Sequence, residues 1–189
     1  MRRTTLVVAM IAAGAMALPA QAPTPRPEIR PFVGAYVPTG AQRDLFEDAT
    51  LMGIQGALEL KPTLHVLGTF SWVPGHNKFG GFDENVSIFA YDLGAELGFV
   101  RPMGEGWQLK PFVGLGAGAR TYAYKADALA DRTCTAGYGA LGSEFQHDRF
   151  ALRLEARENV FCYRAPIAGS KSVTRNDLGL AFGLAYHLR

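Results

Sequence analysis

The sequence has few cysteines, little net charge and no long apolar run beyond its N-terminus. Two cysteines in 189 residues exclude a disulfide-rich scaffold. Of the 19 Lys and Arg residues, Arg2 and Arg3 precede the body of the chain, which leaves 17 cations against 17 Asp and Glu residues. This balance gives no indication of a nucleic-acid partner. No segment after residue 22 reaches the roughly 18 consecutive apolar residues of a transmembrane helix, so a helical membrane protein is excluded.

Catalytic and cofactor motifs are also missing from the sequence. There is no glycine-rich phosphate loop before a helix and no His and carboxylate cluster with metal-ligand spacing. The GLGAG stretch, Gly114 to Gly118, is better explained as a strand whose inner face is lined by glycine. Asp92 and Glu96 lie on one face of a predicted strand, where salt bridges to arginine explain them better than acid–base catalysis. The sequence therefore predicts no metal site, no cofactor and no catalytic residue.

The first 22 residues have the layout of a secretory signal peptide. Arg2 and Arg3 form a basic region, Leu6 to Ala17 is uncharged and apolar, and LPAQA supplies small residues for cleavage. Cleavage after Ala20 and cleavage after Ala22 are both compatible with this pattern. We expect an exported protein with a signal peptide at 1–22, a proline-rich lead-in at 23–28 and a single domain at 29–189.

The rest of the chain repeats one pattern, in which apolar and polar residues alternate with a period of two. This alternation is typical of β-strands, and no segment sustains the 3.6-residue period of a helix. Gly, Pro, Asp and Asn clusters separate the segments. The eight predicted strands are approximately 29–38, 50–60, 63–73, 86–100, 107–124, 133–145, 149–162 and 175–188.

The links between these segments alternate between long and short. The first, third, fifth and seventh links are long, whereas KP, RPMGEG and FQHD are short. Long loops at one end and tight turns at the other are typical of transmembrane β-barrels. The sequence thus predicts an all-β fold, an eight-stranded antiparallel up-and-down transmembrane β-barrel.

The two faces of each strand differ sharply in polarity. In the last segment Leu178, Leu180, Phe182, Leu184 and Tyr186 share one face. Eight strands enclose only enough room for a single layer of side chains, so eight apolar faces cannot all be inside. Apolar faces of this size are stable against lipid, whereas in water they would aggregate. A soluble lipocalin-like barrel, with the apolar faces inside, is the alternative.

The polar faces then form a plugged lumen in which carboxylates pair with arginines and glycines leave space for the long side chains. The predicted lumenal polar core consists of Glu59, Asp92, Glu96, Arg120, Arg153, Glu155 and Arg157.

Aromatic residues concentrate near both ends of the predicted strands, as in the interfacial girdles of membrane barrels. Trp107, Phe99, Phe150 and Tyr186 lie near the short turns, and Trp72, Phe89 and Tyr91 lie toward the long loops.

With this architecture the chain resembles the small eight-stranded outer-membrane barrels, the family that includes the transmembrane domain of outer membrane protein A. Asp177, Gly179, Phe182 and Leu184 resemble the C-terminal signal read by the barrel assembly machinery of the outer membrane. The resemblance implies a bacterial outer-membrane location, with outer-membrane lipid and the assembly machinery as partners. No nucleic-acid partner is expected, because the charge is balanced. Some relatives are lipid A deacylases with a His-x-Ser-Asn motif, and none of the four histidines here fits it.

The two cysteines lie near the long-loop ends of neighbouring predicted strands. If the hairpin turns near His147 and Asp148, Cys134 and Cys162 come within one residue of facing each other. An exported protein meets an oxidising compartment, so we expect a disulfide between them, with two free thiols as the alternative.

Four functional hypotheses follow. The first is a non-enzymatic integral outer-membrane barrel that serves envelope integrity, or surface interaction through its outer loops. The second is a narrow porin-like channel, which requires the lumenal salt bridges to open. The third is a lipid-modifying outer-membrane enzyme, and the fourth is a soluble lipocalin-like carrier. The sequence does not identify a surface partner or a ligand.

Overall fold

The computed structural model describes residues 25–78, 84–125, 131–164 and 171–188, and these form a closed antiparallel β-barrel. The predicted signal peptide at 1–22 lies outside the described residues. The strands are β1 (Arg26–Pro38), β2 (Ala49–Lys61), β3 (Leu64–Asn77), β4 (Glu84–Gly98), β5 (Arg101–Gly104), β6 (Trp107–Tyr124), β7 (Arg132–His147), β8 (Phe150–Tyr163) and β9 (Val173–His187). The eight long strands confirm the predicted fold, and the four-residue β5 lies within the predicted turn RPMGEG.

The strands pair in chain order, and the sheet closes on itself. Strand β1 pairs with β9, with Val33 opposite Phe182, and β4 pairs directly with β6, with Gly94 opposite Gly116. The short β5 folds back on the beginning of β6. Closure pairs the long strands on both sides, which is the condition for placing backbone amides in lipid.

The connections differ at the two ends of the barrel. At one end, here the short-turn end, β2 and β3 are joined by residues 62–63 and β7 and β8 by residues 148–149. Asp148 in the β7–β8 turn, with φ +54°, and Glu105 in the turn between β5 and β6, with φ +50°, adopt the left-handed conformation typical of tight hairpin turns. At the other end, the long-loop end, the links span residues 39–48, 78–83, 125–131 and 164–172.

Strand β1 begins three residues before the strand predicted from residue 29. Arg26 lies opposite Glu59 and Glu28 lies opposite Ala57. Pro27 is compatible with this placement because its fixed φ suits extended backbone and it stands near the start of the strand. Part of the expected lead-in is therefore barrel wall, and Glu28 points into the lumen.

The outer surface of the barrel is a continuous apolar belt. On β9, Leu180, Phe182 and Leu184 expose 44%, 47% and 53% of their surface, and the alternate positions Asp177, Gly179 and Gly183 are buried. Every long strand contributes to the belt, which includes Val33, Ile54, Val66, Phe70, Tyr91, Leu93, Val113, Leu115, Leu141, Leu152 and Leu154. This arrangement has the face assignment predicted for a lipid-facing barrel and the reverse of the one expected for a lipocalin-like carrier.

Within the described part of the chain, no helix has the length and apolar character needed to cross a membrane.

Candidate functional site

The inner face of the barrel is the candidate functional site, because the alternation that points apolar residues outward points charged residues inward. Six of the seven predicted core residues have side chains with at most about a tenth of their surface exposed: Asp92, Glu96, Arg120, Arg153, Glu155 and Arg157. The seventh, Glu59, keeps 18% of its side chain exposed and lies 3.8 Å from His65. The structure thus places all seven predicted residues in the lumen.

Arg153 on β8 is the centre of the network near the short-turn end. Its Nη2 donates to Glu96 at 2.5 Å and to Glu155 at 2.9 Å. Its Nη1 donates to Glu144 at 3.3 Å. The guanidinium carbon also lies 3.6 Å from the centroid of the Phe112 ring. Because a buried charge is tolerated only when it is paired, one arginine here keeps three carboxylates in the lumen.

Arg30 on β1 is the second cation of this layer. It binds Glu28 through two hydrogen bonds, of 2.6 Å and 2.9 Å, and donates to Glu96 at 3.4 Å. Such a bidentate pair fixes both side chains in one geometry. Arg30 and Arg153 therefore bridge four strands through their shared carboxylates.

Arg157 forms the next layer toward the long-loop end. It donates to Glu155 at 2.8 Å and to Asp92 at 3.4 Å, and its guanidinium lies 4.0 Å above the Tyr138 ring. Glycine makes room for that ring: a Cβ on Gly116 would lie 2.5 Å from Tyr138 Cε1. The glycine-lined inner face predicted for GLGAG accommodates an aromatic ring as well as long charged side chains.

The outermost ion pair of the lumen joins Arg120 to Asp177. Arg120 Nη1 donates to Asp177 at 2.8 Å, and Asn159 donates to the other oxygen of the same carboxylate at 2.9 Å. Of the four residues of the expected assembly signal, Asp177 and Gly179 thus face the lumen, whereas Phe182 and Leu184 face outward. Arg120 pairs with a carboxylate that the sequence analysis did not assign to the core.

The predicted core list left out about half of the lumenal polar residues. The additional buried members are Glu28, Arg30, Gln55, His65, Thr69, Lys110, Glu144, Asn159 and Asp177. Each of these residues lies at an inward position of the period-two alternation, so the sequence pattern could have identified them. Glu28 was assigned to the lead-in, and Lys110 and Glu144 stand near the short turns, where polar residues are expected on either face.

The long-loop end of the lumen is closed by an aromatic cluster. Phe46, from the link between β1 and β2, is 1% exposed and packs against Tyr122 and Tyr163 at ring-centroid distances of 5.6 Å and 6.0 Å. Lys78 N donates to Leu45 O at 2.8 Å, which fixes this link to the end of β3. The mouth cluster comprises Tyr36, Leu45, Phe46, Val73, Val86, Ile88, Tyr122, Tyr124, Ala136, Phe161 and Tyr163.

A small cavity lies in the lumen below the mouth cluster. Its volume open to the centre of a water molecule is about 40 Å³, enough for a few water molecules. Arg120 and Asp177 line it at one end, and Arg153 and Glu155 at the other. The cavity therefore leaves space for water beside the ion pairs of the lumen.

The predicted disulfide is wrong, because Cys134 and Cys162 are free and lie on opposite faces of the sheet. Strands β7 and β8 pair with Ala136 opposite Phe161. Cys134 shares the inward face of Ala136 and is half-buried, whereas Cys162 lies outward and is exposed. A one-residue offset across an antiparallel pair reverses the face on which a side chain lies. Because Cys134 is offset by one residue from the position opposite Cys162, the two side chains point to opposite faces and cannot form a disulfide.

The fold is similar to that of solved outer-membrane barrels. Neisserial surface protein A superposes with a TM-score of 0.65 at 10% identity, over 85% of this chain and 96% of that one. The N-terminal barrel domain of Pseudomonas aeruginosa OprF gives 0.56 at 14% identity, over 87% and 98%. OprG from Pseudomonas aeruginosa gives 0.55 at 15% identity, over 88% and 97%.

No protein-family model matches the sequence, and no curated protein matches it. At these identities the structural likenesses show the fold alone. The chain has the fold of the small eight-stranded outer-membrane barrels.

Proposed function

We propose that this protein is an integral barrel of the bacterial outer membrane that has a structural role and presents its loops at the cell surface, without enzymatic activity. The observation that carries this proposal is the combination of an apolar outer belt with a lumen occupied by its own ion pairs. The belt gives the protein lipid as its partner. The filled lumen leaves the loops as the part of the molecule that meets other molecules.

Two successive barriers in the lumen support a closed barrel. The ion pairs of Arg30, Arg153 and Arg157 cross the interior near the short-turn end. At the long-loop end Phe46 and Leu45 fill the mouth. An ion would have to displace both an aromatic cluster and a set of buried salt bridges to pass.

The chemistry of the lumen supports a structural role over catalysis. General acid–base catalysis needs a group that is free to exchange a proton with a substrate. The carboxylates of Glu96, Glu155 and Asp177 instead accept hydrogen bonds from arginines, and their positions face away from the lipid. The outer face, where a lipid substrate would lie, is apolar. Export and recognition of β9 by the assembly machinery remain part of this proposal.

A narrow porin-like channel is the second candidate function, favoured by the charged lining of the small cavity. Opening would require Arg153 or Arg157 to change partners. Because neighbouring carboxylates already lie within reach of both cations, such an exchange is chemically reasonable.

The decisive experiment is conductance of the folded chain in planar lipid bilayers. Folding is checked first by gel mobility in detergent with and without boiling, since a folded barrel migrates differently from the boiled chain. A closed structural barrel predicts the mobility shift and no current steps. Regular current steps in the wild type, lost when purified protein is boiled, would replace the structural role with the channel.

A further inference from the structure

Three side chains from three different strands meet in the lumen at the short-turn end. They are Glu28 on β1, Glu144 on β7 and His187 on β9, and one nitrogen or oxygen atom from each lies within 4.8 Å of those of the other two. His187 Nε2 lies 4.0 Å from Glu144 Oε1, and His187 Nδ1 lies 3.7 Å from Glu28 Oε2. The imidazole thus stands between two carboxylates without contacting either at hydrogen-bond distance.

Two of these atoms are buried and have no hydrogen-bond partner among the described residues. They are Glu144 Oε1 and His187 Nε2. Glu144 is 0% exposed, and its other oxygen accepts a hydrogen bond from Arg153. A buried carboxylate oxygen that has lost its hydrogen bonds to water and accepts no hydrogen bond from the protein destabilises the fold. The two atoms lie 4.0 Å apart across a gap, so one group that binds both of them would satisfy both.

The surrounding charge favours a cation in this gap. Below the Arg120–Asp177 pair, the described lumenal carboxylates outnumber the cations by two when the histidines are neutral. The carboxylates are Glu28, Glu59, Asp92, Glu96, Glu144 and Glu155, and the cations are Arg30, Lys110, Arg153 and Arg157. A divalent cation would balance this excess, whereas an anion or an apolar ligand would not.

We propose that the short-turn end of the lumen holds a divalent transition-metal ion of the zinc class between Glu144 Oε1 and His187 Nε2. Zinc binds imidazole nitrogen and carboxylate oxygen at about 2.0–2.2 Å in tetrahedral geometry, which places two ligand atoms on one ion about 3.4 Å apart. The 4.0 Å separation of His187 Nε2 and Glu144 Oε1 would have to shorten by about 0.6 Å, which side-chain rotation of His187 or Glu144 would supply. An imidazole ligand favours zinc over magnesium or calcium.

Glu28 acts as the group that orients the histidine. Both of its oxygens already accept hydrogen bonds from Arg30, and its Oε2 faces Nδ1, the ring nitrogen away from Glu144. A histidine that binds metal commonly donates its second ring N–H to a carboxylate. The His187 side chain is 12% exposed, so water can reach the site from the short-turn end and complete the coordination.

Such an ion would connect β7 to β9 at the end of the barrel where β9 terminates. It would act as a clamp on the last strand, in addition to the backbone pairing of β9 with β1 and β8. This inference goes beyond the proposed function and does not depend on it.

The test is titration of the folded chain in detergent with zinc chloride by isothermal calorimetry, with gel mobility as the folding check for each variant. We expect one zinc ion per wild-type chain. His187→Gln and Glu144→Gln should each weaken binding at least about tenfold, and Glu28→Gln by about 10- to 100-fold. His147→Gln is the matched control, because His147 lies at the same end but contacts Trp107, with ring centroids 4.7 Å apart, and lies outside the site.

The nature of the ligands provides a second readout. X-ray absorption at the zinc edge should show one imidazole nitrogen with oxygen ligands in the wild type. Glu144→Gln could fail to fold, since Glu144 also pairs with Arg153. In that case His187→Gln still measures the loss of zinc binding. Binding of equal strength in the wild type and in His187→Gln, or no binding to the wild type, would overturn the proposal. Water would then be the group that fills the gap. Neither result affects the conductance experiment.

Discussion

At the residue scale, Arg153 is one of two arginines that each pair with three buried carboxylates of the lumen, the other in the described part of the chain being Arg30. Arg153 pairs with Glu96, Glu144 and Glu155. Replacing it by methionine keeps an unbranched apolar stem but leaves buried carboxylates uncompensated, and removing one partner of a buried ion pair costs about 3–5 kcal/mol. We expect Arg153→Met to lower the free energy of unfolding by about that amount, measured by urea titration in lipid vesicles.

The control for this prediction is Arg43→Ala. Arg43 pairs with Asp48 at 3.4 Å, but its side chain is 62% exposed. Exposed ion pairs contribute about 0–1 kcal/mol, so this variant should unfold almost as the wild type does. Equal stability of both variants would show that the lumenal network is not what stabilises the barrel.

Gly116 tests how tightly the inner wall is packed. A Cβ at this position would meet Tyr138 Cε1 at 2.5 Å and Cζ at 2.7 Å, and would also collide with the Leu93 backbone oxygen. Because the ring is held beneath Arg157, Gly116→Ala should destabilise the barrel by about 1–3 kcal/mol through overpacking. The measurement is the same urea titration.

Gly139 is the matched glycine on the outer face, where an added Cβ would meet nothing within 4 Å. Gly139→Ala should leave the stability unchanged or raise it slightly, because alanine reduces the freedom of the unfolded chain. If both alanine variants were neutral, the tight contact between Gly116 and Tyr138 would be contradicted.

At the scale of the elements, the register of β7 against β8 decides which residues can be cross-linked. Extending the pairing of Ala136 with Phe161 by one residue places Thr135 opposite Cys162. A Thr135→Cys, Cys134→Ser double variant should therefore form a disulfide on oxidation, whereas the wild type should not. Comparing thiol counts before and after reduction measures this.

A native disulfide in the oxidised wild type would show that the register of this hairpin is wrong.

In the wild type we expect Cys162 to react with a maleimide reagent before Cys134, because Cys162 is exposed and Cys134 is half-buried.

The elements also show how far the sequence could predict the structure. Period-two alternation located all eight long strands and the inward position of each predicted core residue, because lipid outside and charge inside impose opposite demands on neighbouring residues. It could not give the exact register, and for that reason the cysteine pairing failed. The closure of the mouth by Phe46 depends on how the first long link folds back, a tertiary contact that local periodicity does not encode.

At the scale of the whole molecule, the barrel has an apolar exterior and a charged interior. That arrangement is stable only if lipid covers the belt, since in water the same surface would aggregate. Trp72 and Trp107, the two tryptophans of the chain, are respectively 36% and 45% exposed on the outer face. Trp72 lies toward the long-loop end, and Trp107 begins β6 at the short-turn end.

The most direct test of the lipid-facing barrel uses these two tryptophans in single-tryptophan variants, Trp107→Phe and Trp72→Phe. Each variant is folded into vesicles of lipids brominated at different depths of the acyl chain, and its fluorescence is compared with that in unbrominated vesicles. If the apolar belt faces lipid, bromine near the headgroups should quench both tryptophans more strongly than bromine at the bilayer centre, and iodide in water should quench both weakly. Quenching by iodide alone, with no effect of brominated lipid at any depth, would contradict the lipid-facing belt.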